Sequence, residues 1–301
     1  MINEIDIIRD LKNIFPKIGN DAADFNLSGD KIPIACIDSY YEGVHFEFSY
    51  CPRDVVGYRS VAATLSDIAA VGGVPRYIAV SVGLSSPRFY KEIIEGIKEA
   101  CDKFGVEVIG GDTIESPHTF LTICAIGETE RVVPRQGAEA GDLICVTGTI
   151  GDAAINFSYL KSGFKLENKN NKFFYPEPRI KEGQKLSPYV TSMIDISDGL
   201  IIDLWRLLYE GELGAQIDIK NIPIREESIK LCEEMGRDYL NFQLYGGEDY
   251  ELLFTIKEEN LPKIRDVDFR VIGRVIDKKG FFTKKWQKIH VRGYVHFKSV
   301  R

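Results

Sequence analysis

Apolar positions along the chain follow the two spacings that distinguish helices from strands. Ile5, Ile8, Leu11 and Phe15 recur at helical spacing and predict a first helix, which Pro16 ends. Later segments alternate between short apolar runs, typical of strands, and longer amphipathic stretches, typical of helices. The predicted strands occupy 32–37, 77–84, 106–109, 119–127, 142–148, 216–219, 251–255 and 269–276, and the predicted helices 52–71, 88–104 and 226–235. This alternation predicts an α/β or α+β chain.

The length of the chain favours two domains. Its 301 residues exceed what one ordinary hydrophobic core accommodates. The composition turns polar over 128–141, where Pro134 and two glycines interrupt the apolar pattern. We therefore predict an N-terminal domain over 1–135 and a C-terminal domain over 136–301. A run rich in Lys, Asn and Gly over 162–172 predicts a mobile surface loop.

Composition and charge exclude several functional classes. A content of 44% hydrophobic and 28% charged residues is typical of a soluble globular protein, and a net charge of −7 argues against a nucleic-acid partner. No apolar run is long enough to span a membrane, and the first residues do not resemble a signal peptide. The six cysteines are scattered without a CxxC pair, which predicts reduced thiols and a cytoplasmic location.

Two carboxylates and a hydroxyl lie between a predicted strand and a predicted helix. Asp195, Ser197 and Asp198 follow the apolar Ile194, and helical spacing begins at Leu200. Such a junction exposes side chains and backbone N–H groups at the carboxyl edge of a sheet, where anions bind. The alternative role for Asp198 is that of a helix N-cap.

Similar acidic positions recur where other apolar runs end. The members share a carboxylate beside glycine or a hydroxyl, and they are Asp21, Asp38, Asp112 and Asp195. Asp67 adds a carboxylate beside Ser66 on a helix face with apolar neighbours. Because magnesium takes a few carboxylates together with phosphate and water oxygens, these residues predict a metal site that neutralises a polyphosphate. The alternative for each of them singly is a turn or cap residue.

Glycine pairs and two basic side chains add to this hypothesis. The pairs Gly110–Gly111 and Gly246–Gly247 permit close backbone approach to a ligand, although tight turns would also explain them. His45 and Arg135 are candidates for phosphate contacts, against a structural histidine and a solvated arginine as alternatives. The chain has no Walker A, Rossmann or protein-kinase motif. Nucleotide binding would therefore depend on metal rather than on a phosphate-binding loop.

Taken together, these motifs resemble those of thiamine-monophosphate kinases. The matching segments run from about residue 18 to 255: GNDA at 19–22, DS at 38–39, EGVHF at 42–46, LSDIAA at 65–70, GGDT at 110–113, Gly148 with GD at 151–152, DISDGL at 195–200 and GGEDYEL at 246–252. The resemblance implies the two-domain fold of aminoimidazole ribonucleotide synthetases, with a homodimer formed through the N-terminal sheet and an α/β C-terminal domain. It also implies the reaction of ATP with thiamine monophosphate to give thiamine diphosphate and ADP.

The resemblance also implies roles for individual residues. Magnesium ions around the ATP phosphates would be held by Asp21, Asp38, Asp67, Asp112 and Asp195, with Asp198 on a further magnesium. Asp67, Asp112 and Asp195 would thereby be the catalytic set. The nucleotide would also contact Gly111, Arg135 and Ser197. Thiamine monophosphate would contact His45 and Glu248, and Tyr294 is the candidate aromatic for the thiamine ring.

Two positions depart from the family pattern and keep other functions open. Asn20 replaces a usual aspartate, and Ile37 stands where the family usually has Ser or Thr. A nucleotide-binding dimer without turnover, a metal phosphohydrolase, or a sibling enzyme of the same fold acting on another small substrate are the alternatives. The first would bind ATP without forming product, and the second would release phosphate without a second substrate.

Overall fold

The computed structural model describes residues 23–24, 29–166 and 171–296. Its first part forms a five-stranded sheet with two long helices. The elements are β1 (Ala23–Asp24), β2 (Ile32–Tyr41), α1 (Arg53–Ala70), β3 (Val74–Leu84), α2 (Tyr90–Phe104), β4 (Glu107–Glu115) and β5 (Phe120–Thr129). The strand order is β1-β2-β5-β3-β4, with only β3 and β4 running parallel among the described pairs. The predicted helix over 5–15 lies outside the described residues.

The remaining described residues form a seven-stranded sheet with shorter helices. The elements are β6 (Leu143–Thr147), α3 (Asp152–Lys161), α4 (Ile180–Leu186), β7 (Val190–Asp195), α5 (Leu200–Leu208), β8 (Gly214–Ile217), α6 (Glu226–Glu234), α7 (Tyr239–Tyr245), β9 (Leu252–Ile256), β10 (Phe269–Ile276), β11 (Gly280–Thr283) and β12 (Lys288–Ile289). The strand order is β12-β11-β8-β10-β6-β9-β7. No helix in this described part of the chain, or in the first, is long and apolar enough to cross a membrane. The predicted division at 135/136 falls between the two sheets and stays a prediction.

We call the part with strands β1–β5 the first half of the chain and the part with strands β6–β12 the second half. Helix α1 is the central element of the first half. Small residues let α2 approach it closely: a Cβ added to Gly57 would lie 2.0 Å from the carbonyl oxygen of Ile93, and one on Gly96 1.7 Å from that of Asp54. The helix also packs against β2 and β5, and its C-terminal part contacts β7 and α4 of the second half. Because both halves meet on α1, a side chain near its C-terminal end lies at their junction.

The segment 171–175 crosses from the second half into the core of the first. Phe173 and Phe174 are buried in the same hydrophobic cluster as Tyr58 of α1. Lys172 is buried as well, and its Nζ donates to Oε1 of Glu251 over 2.7 Å. The prediction of a surface loop over 162–172 was therefore wrong at its C-terminal end, because a paired lysine can be buried where an isolated one cannot.

Two strands extend beyond the turns that the sequence predicted. Strand β2 was expected to end before Asp38, but it pairs with β5 as far as Tyr41 opposite Phe120. Strand β4 was expected to end at 109, but it continues beside β3 through Gly111 and Asp112. The glycines do not break β4 because the parallel ladder holds it on the β3 side. Helices α4 and α7 and strand β11 were not predicted, since each is too short for a clear periodic signal.

Candidate active site

A cavity of about 580 Å³ opens where the two halves of the chain meet. Its lining includes most of the residues singled out in the sequence. From the first half these are Asp38, His45 and Asp67, and from the second half Asp195, Ser197, Asp198, Glu248 and Tyr294. Residues from positions 38 to 294 thus meet in one place, although no single segment contains a complete site.

Three carboxylates reach the cavity from three different elements. The alternation of β2 puts Asp38 on the same face as the buried Cys36 and Tyr40, and the Tyr40 hydroxyl donates to its Oδ2 over 3.3 Å. Asp67 extends from α1, and Asp195 is the buried last residue of β7. Strand β2, helix α1 and strand β7 therefore place three carboxylates in the same cavity.

Burial, and after it the neighbouring negative charges, raises the pKa values of these carboxylates. Burial raises the pKa of Asp195 to about 7, with Asp203 and Asp38 adding to the effect. Burial followed by the charges of Asp38 and Asp195 raises the pKa of Asp67 well above its ordinary value. The pKa of Asp38 is raised mainly by burial too, and further by the charge of Asp198. Bound cations would stabilise the ionised form of this cluster of carboxylates.

The turn after β7 holds Asp198 in a different way. Arg206 donates from Nη1 to Oδ2 of Asp198 over 2.5 Å and to Oδ1 of Asp203 over 2.7 Å. Asp203 in turn accepts the backbone N–H groups of Asp198 and Gly199, each over 3.0 Å. Asp203 therefore caps α5 from within its first turn. The alternative of Asp198 as the N-cap is wrong, because the helix begins at Leu200 and its N-cap residue is Gly199.

His45 lies in the loop after β2 and faces the cavity as a neutral hydrogen-bond donor. Its Nδ1 accepts the backbone N–H of Tyr41 over 3.0 Å. Burial, the nearby ring of His296 and the guanidinium of Arg59 lower the pKa of His45 to about 4. At neutral pH the single ring proton therefore resides on Nε2, since Nδ1 is an acceptor.

Glu248 is held by an arginine that the sequence analysis missed. Arg59 on α1 is 2% exposed, and its Nη2 donates to Oε2 of Glu248. The backbone of Glu248 has φ of 68° and donates from its N–H to the carbonyl of Ser197 over 2.8 Å. One signal was available in the sequence: an arginine between Tyr58 and Val61 on an apolar helix must have a buried partner.

The C-terminal segment closes one wall of the cavity. Tyr294 donates its backbone N–H to the carbonyl of Asp198 over 3.0 Å. The rings of Tyr294 and His296 pack edge to face with centroids 4.9 Å apart, and both line the cavity. His296 was not singled out in the sequence, since a lone histidine near the end of a chain carries no pattern.

Four predicted residues are not among those that line the cavity. Gly111 and Asp112 lie exposed on β4, and Arg135 lies beside Asp195 and Asp203, where burial lowers its pKa. Asp21 lies outside the described residues. The roles predicted for these four stay predictions.

The carboxylate oxygens of the cavity fit a magnesium ion that takes most of its ligands from substrate phosphates and water. Within the described ranges, no three His, Cys, Asp or Glu side chains converge closely enough to hold a metal by themselves. Magnesium commonly binds through one or two carboxylates, with phosphate and water oxygens completing its octahedron. The carboxylates of Asp38, Asp67 and Asp195 are oxygen donors of this kind, and their raised pKa values reflect charge that a cation would compensate.

Two family models that match the chain define the class of protein to which it belongs. Residues 19–129 match the family model for the N-terminal domain of AIR synthase related proteins, and residues 139–285 match the model for their C-terminal domain. The two-domain α/β fold predicted from the sequence is therefore confirmed.

Similarity to individual proteins identifies the family within this class. The chain is 32% identical to the thiamine-monophosphate kinase of Aquifex aeolicus over 93% of its length and 92% of the relative, and 32% identical to that of Archaeoglobus fulgidus over 98% of both. A solved structure described as AaThiL complexed with AMPPCP and TMP superposes with a TM-score of 0.90, at 30% identity, over 98% of this chain and 97% of the other. The chain belongs to the thiamine-monophosphate kinase family, as the motifs predicted.

Proposed function

We propose that this chain phosphorylates thiamine monophosphate at the expense of ATP, giving thiamine diphosphate and ADP. The observation that carries the proposal is that Asp38, Asp67 and Asp195 meet His45 and Glu248 in one cavity. Carboxylates for metal-bound phosphates and hydrogen-bonding groups for an organic acceptor are the two requirements of such a transfer. The related AaThiL complexed with AMPPCP and TMP supports this assignment.

Magnesium would be held by Asp38, Asp67, Asp195 and Asp198, together with Asp21 and Asp112, around the phosphates of ATP. When bound, the metal supplies positive charge that neutralises the transferring phosphoryl group. The chain itself fixes where this charge is placed: the Tyr40 hydroxyl orients Asp38, and Arg206 orients Asp198. Ser197, Arg135 and Gly111 are the proposed nucleotide contacts.

The chemical step is direct and in line. An oxygen of the acceptor phosphate forms a bond to the γ-phosphorus of ATP while the bond between that phosphorus and the β,γ-bridging oxygen breaks, and ADP leaves with the released electron pair. The acceptor phosphate is ionised at neutral pH and needs no strong base. Catalysis then depends on alignment and charge neutralisation, which side chains from the two packed halves would supply.

The acceptor would be recognised by polar and aromatic side chains that line the same cavity as the carboxylates. His45 presents an Nε2 proton donor, and Glu248 presents carboxylate oxygens that accept. Phe157 and Tyr294 add aromatic surface to the same cavity. An acceptor with a cationic aromatic ring and a neighbouring amino group, as in thiamine, satisfies these three features together.

A second copy of the chain is the proposed partner of the first sheet. Strand β4 is exposed along its whole length on both faces, and Val108, Ile109 and Ile114 on it are 53%, 56% and 46% exposed. An apolar edge strand of this length favours association.

The mass in solution should be twice 34.0 kDa, and Ile109→Glu should halve it. Tyr209→Glu, which alters an exposed apolar residue of the second half, is the matched control. A monomeric wild type would contradict the proposal.

The cysteines favour a reducing compartment, and we propose a cytoplasmic location. All six cysteines are free thiols, and five of them are buried. The thiols of Cys51 and Cys145 have pKa values raised by burial to about 12, so they are unreactive at neutral pH.

Two measurements test the reaction and its mechanism. ADP release should require thiamine monophosphate; release of phosphate from ATP alone would instead indicate a phosphohydrolase. With ATP made chiral at the γ-phosphorus, direct transfer predicts inverted configuration in the product. Retained configuration would indicate a phospho-enzyme and would contradict the in-line step.

A further inference from the structure

Arg59 connects three segments that come from distant parts of the sequence. Its Nη1 donates to the backbone carbonyl of His45 over 3.1 Å, and its Nε donates to that of Phe173 over 3.1 Å. Its Nη2 donates to the carboxylate of Glu248, 189 positions away in the chain. The guanidinium also lies 4.1 Å from the ring centroid of Phe173. All three nitrogens of the guanidinium are therefore used, each by a different segment.

This arginine is buried beneath the cavity and does not itself line it. Its exposure is 2%, whereas the Glu248 side chain that it holds is 28% exposed and faces the cavity. Burial disfavours the charged guanidinium, but Glu248, with smaller contributions from Tyr250, Cys51 and Tyr40, more than offsets this, so the pKa of Arg59 is raised.

The planar fork of arginine is needed for this geometry. Glu248 has φ of 68°, a conformation that non-glycine residues adopt only when their surroundings hold them. Arg59 holds its carboxylate while a second nitrogen fixes the backbone of His45, so one rigid plane relates two groups from opposite halves of the chain. A lysine offers a single ammonium on a flexible stem and cannot span both at defined angles.

We infer that Arg59 is a positioning residue that sets the spacing between His45 and Glu248 and thereby the affinity for the phosphoryl acceptor. The inference rests on the proposed function, because it takes these two residues as the acceptor contacts. Substitution of Arg59 should leave ATP binding unaffected, since its guanidinium donates to His45, Phe173 and Glu248 and to none of the aspartates of the cavity.

The test compares Arg59→Lys with Glu248→Gln and with the double variant. Arg59→Lys should raise KM for thiamine monophosphate about tenfold while KM for ATP stays within about twofold. The double variant should be little worse than Glu248→Gln alone, because both single changes remove the same contact. Arg179→Lys is the matched control: Arg179 is also paired with a buried glutamate, Glu251, but neither residue lines the cavity.

A readout without substrate separates this inference from the proposed function. The NMR signals of the His45 ring should shift in Arg59→Lys and stay in place in Arg179→Lys. If wild type makes no thiamine diphosphate yet the His45 signals shift as expected, the proposed function fails and the positioning geometry stands. Unshifted His45 signals, equal changes in both KM values, or additive effects in the double variant would overturn the inference.

Discussion

Lys172 lies with its Nζ 2.7 Å from Oε1 of Glu251, and both side chains are buried. Arg179 approaches the same carboxylate in bidentate fashion over 2.6 and 2.7 Å, and the Thr147 hydroxyl donates to it over 2.7 Å. Burial alone would raise the pKa of Glu251, but the two cations lower it to about 2. The carboxylate thus ties the segment that enters the first core to the sheet of the second half.

Removal of the lysine should destabilise the fold strongly. Lys172→Met leaves the buried carboxylate of Glu251 with the partly exposed Arg179 but without its buried cation, and breaking a buried ion pair on one side typically costs about 3 kcal/mol or more. We expect urea unfolding of the variant to show a loss of this size. Lys181→Met, which changes an exposed lysine of α4, should alter the unfolding free energy by less than about 0.5 kcal/mol. Equal stabilities of the two variants would contradict this account of the segment.

The pair also predicts how stability depends on pH. Because the pKa of Glu251 is about 2 in the folded protein and about 4.5 unfolded, the pair stabilises the fold above pH 4.5. That contribution is lost as the pH falls from 4.5 to 2. Thr147→Val should make this contribution smaller and its loss complete at a higher pH, because the pKa of Glu251 in the folded protein rises when the carboxylate has one donor fewer. An unchanged acid transition, measured by circular dichroism, would count against this role of the hydroxyl.

Asp67→Asn should separate stability from turnover. The pKa of Asp67 is raised, so at neutral pH its ionised form destabilises the metal-free fold, and a neutral amide removes that cost. We expect the melting temperature without metal to rise and turnover to fall at least about 100-fold. A variant that keeps near wild-type turnover at saturating magnesium would contradict the role of Asp67.

Asp112→Asn tests a predicted metal ligand that does not line the cavity. Asp112 is exposed on β4 of the single chain and asparagine matches aspartate in size, so the substitution should leave the melting temperature within about 1 °C of wild type. Turnover should nevertheless fall at least about 100-fold if Asp112 binds metal as the family resemblance implies. Glu107→Gln on the same exposed strand is the control. Unchanged turnover in Asp112→Asn would remove this residue from the site.

The imidazole of His45 should stay neutral well below pH 6. Its pKa is about 4 because burial, His296 and Arg59 disfavour the cation. Since the unfolded value is about 6.5, protonation favours the unfolded chain as the pH falls from 6.5 to 4. NMR titration of the ring, assigned with His45→Gln, should give a midpoint near 4. A midpoint near 6.5 would show that the ring is solvated.

The parts of the site that the sequence predicted are those carried by local motifs. Asp38, Asp67 and Asp195 each follow or interrupt an apolar pattern, and the combination of motifs resembled one family. Arg59 and Lys172 were beyond such reasoning, because their partners lie 189 and 79 positions away. A buried charge can be suspected from an apolar helix, but its partner depends on tertiary packing. The length of β4 was missed for a similar reason, since only pairing with β3 keeps its glycines extended.

The most direct test of the proposed function is an endpoint reaction with ATP, magnesium and thiamine monophosphate, in which the thiamine species are separated by chromatography. ADP is followed in parallel, with and without the thiamine substrate. We expect one thiamine diphosphate for each ADP, and no ADP when thiamine monophosphate is omitted. ATP binding without any thiamine diphosphate, or ADP formed equally in its absence, would contradict the proposed function.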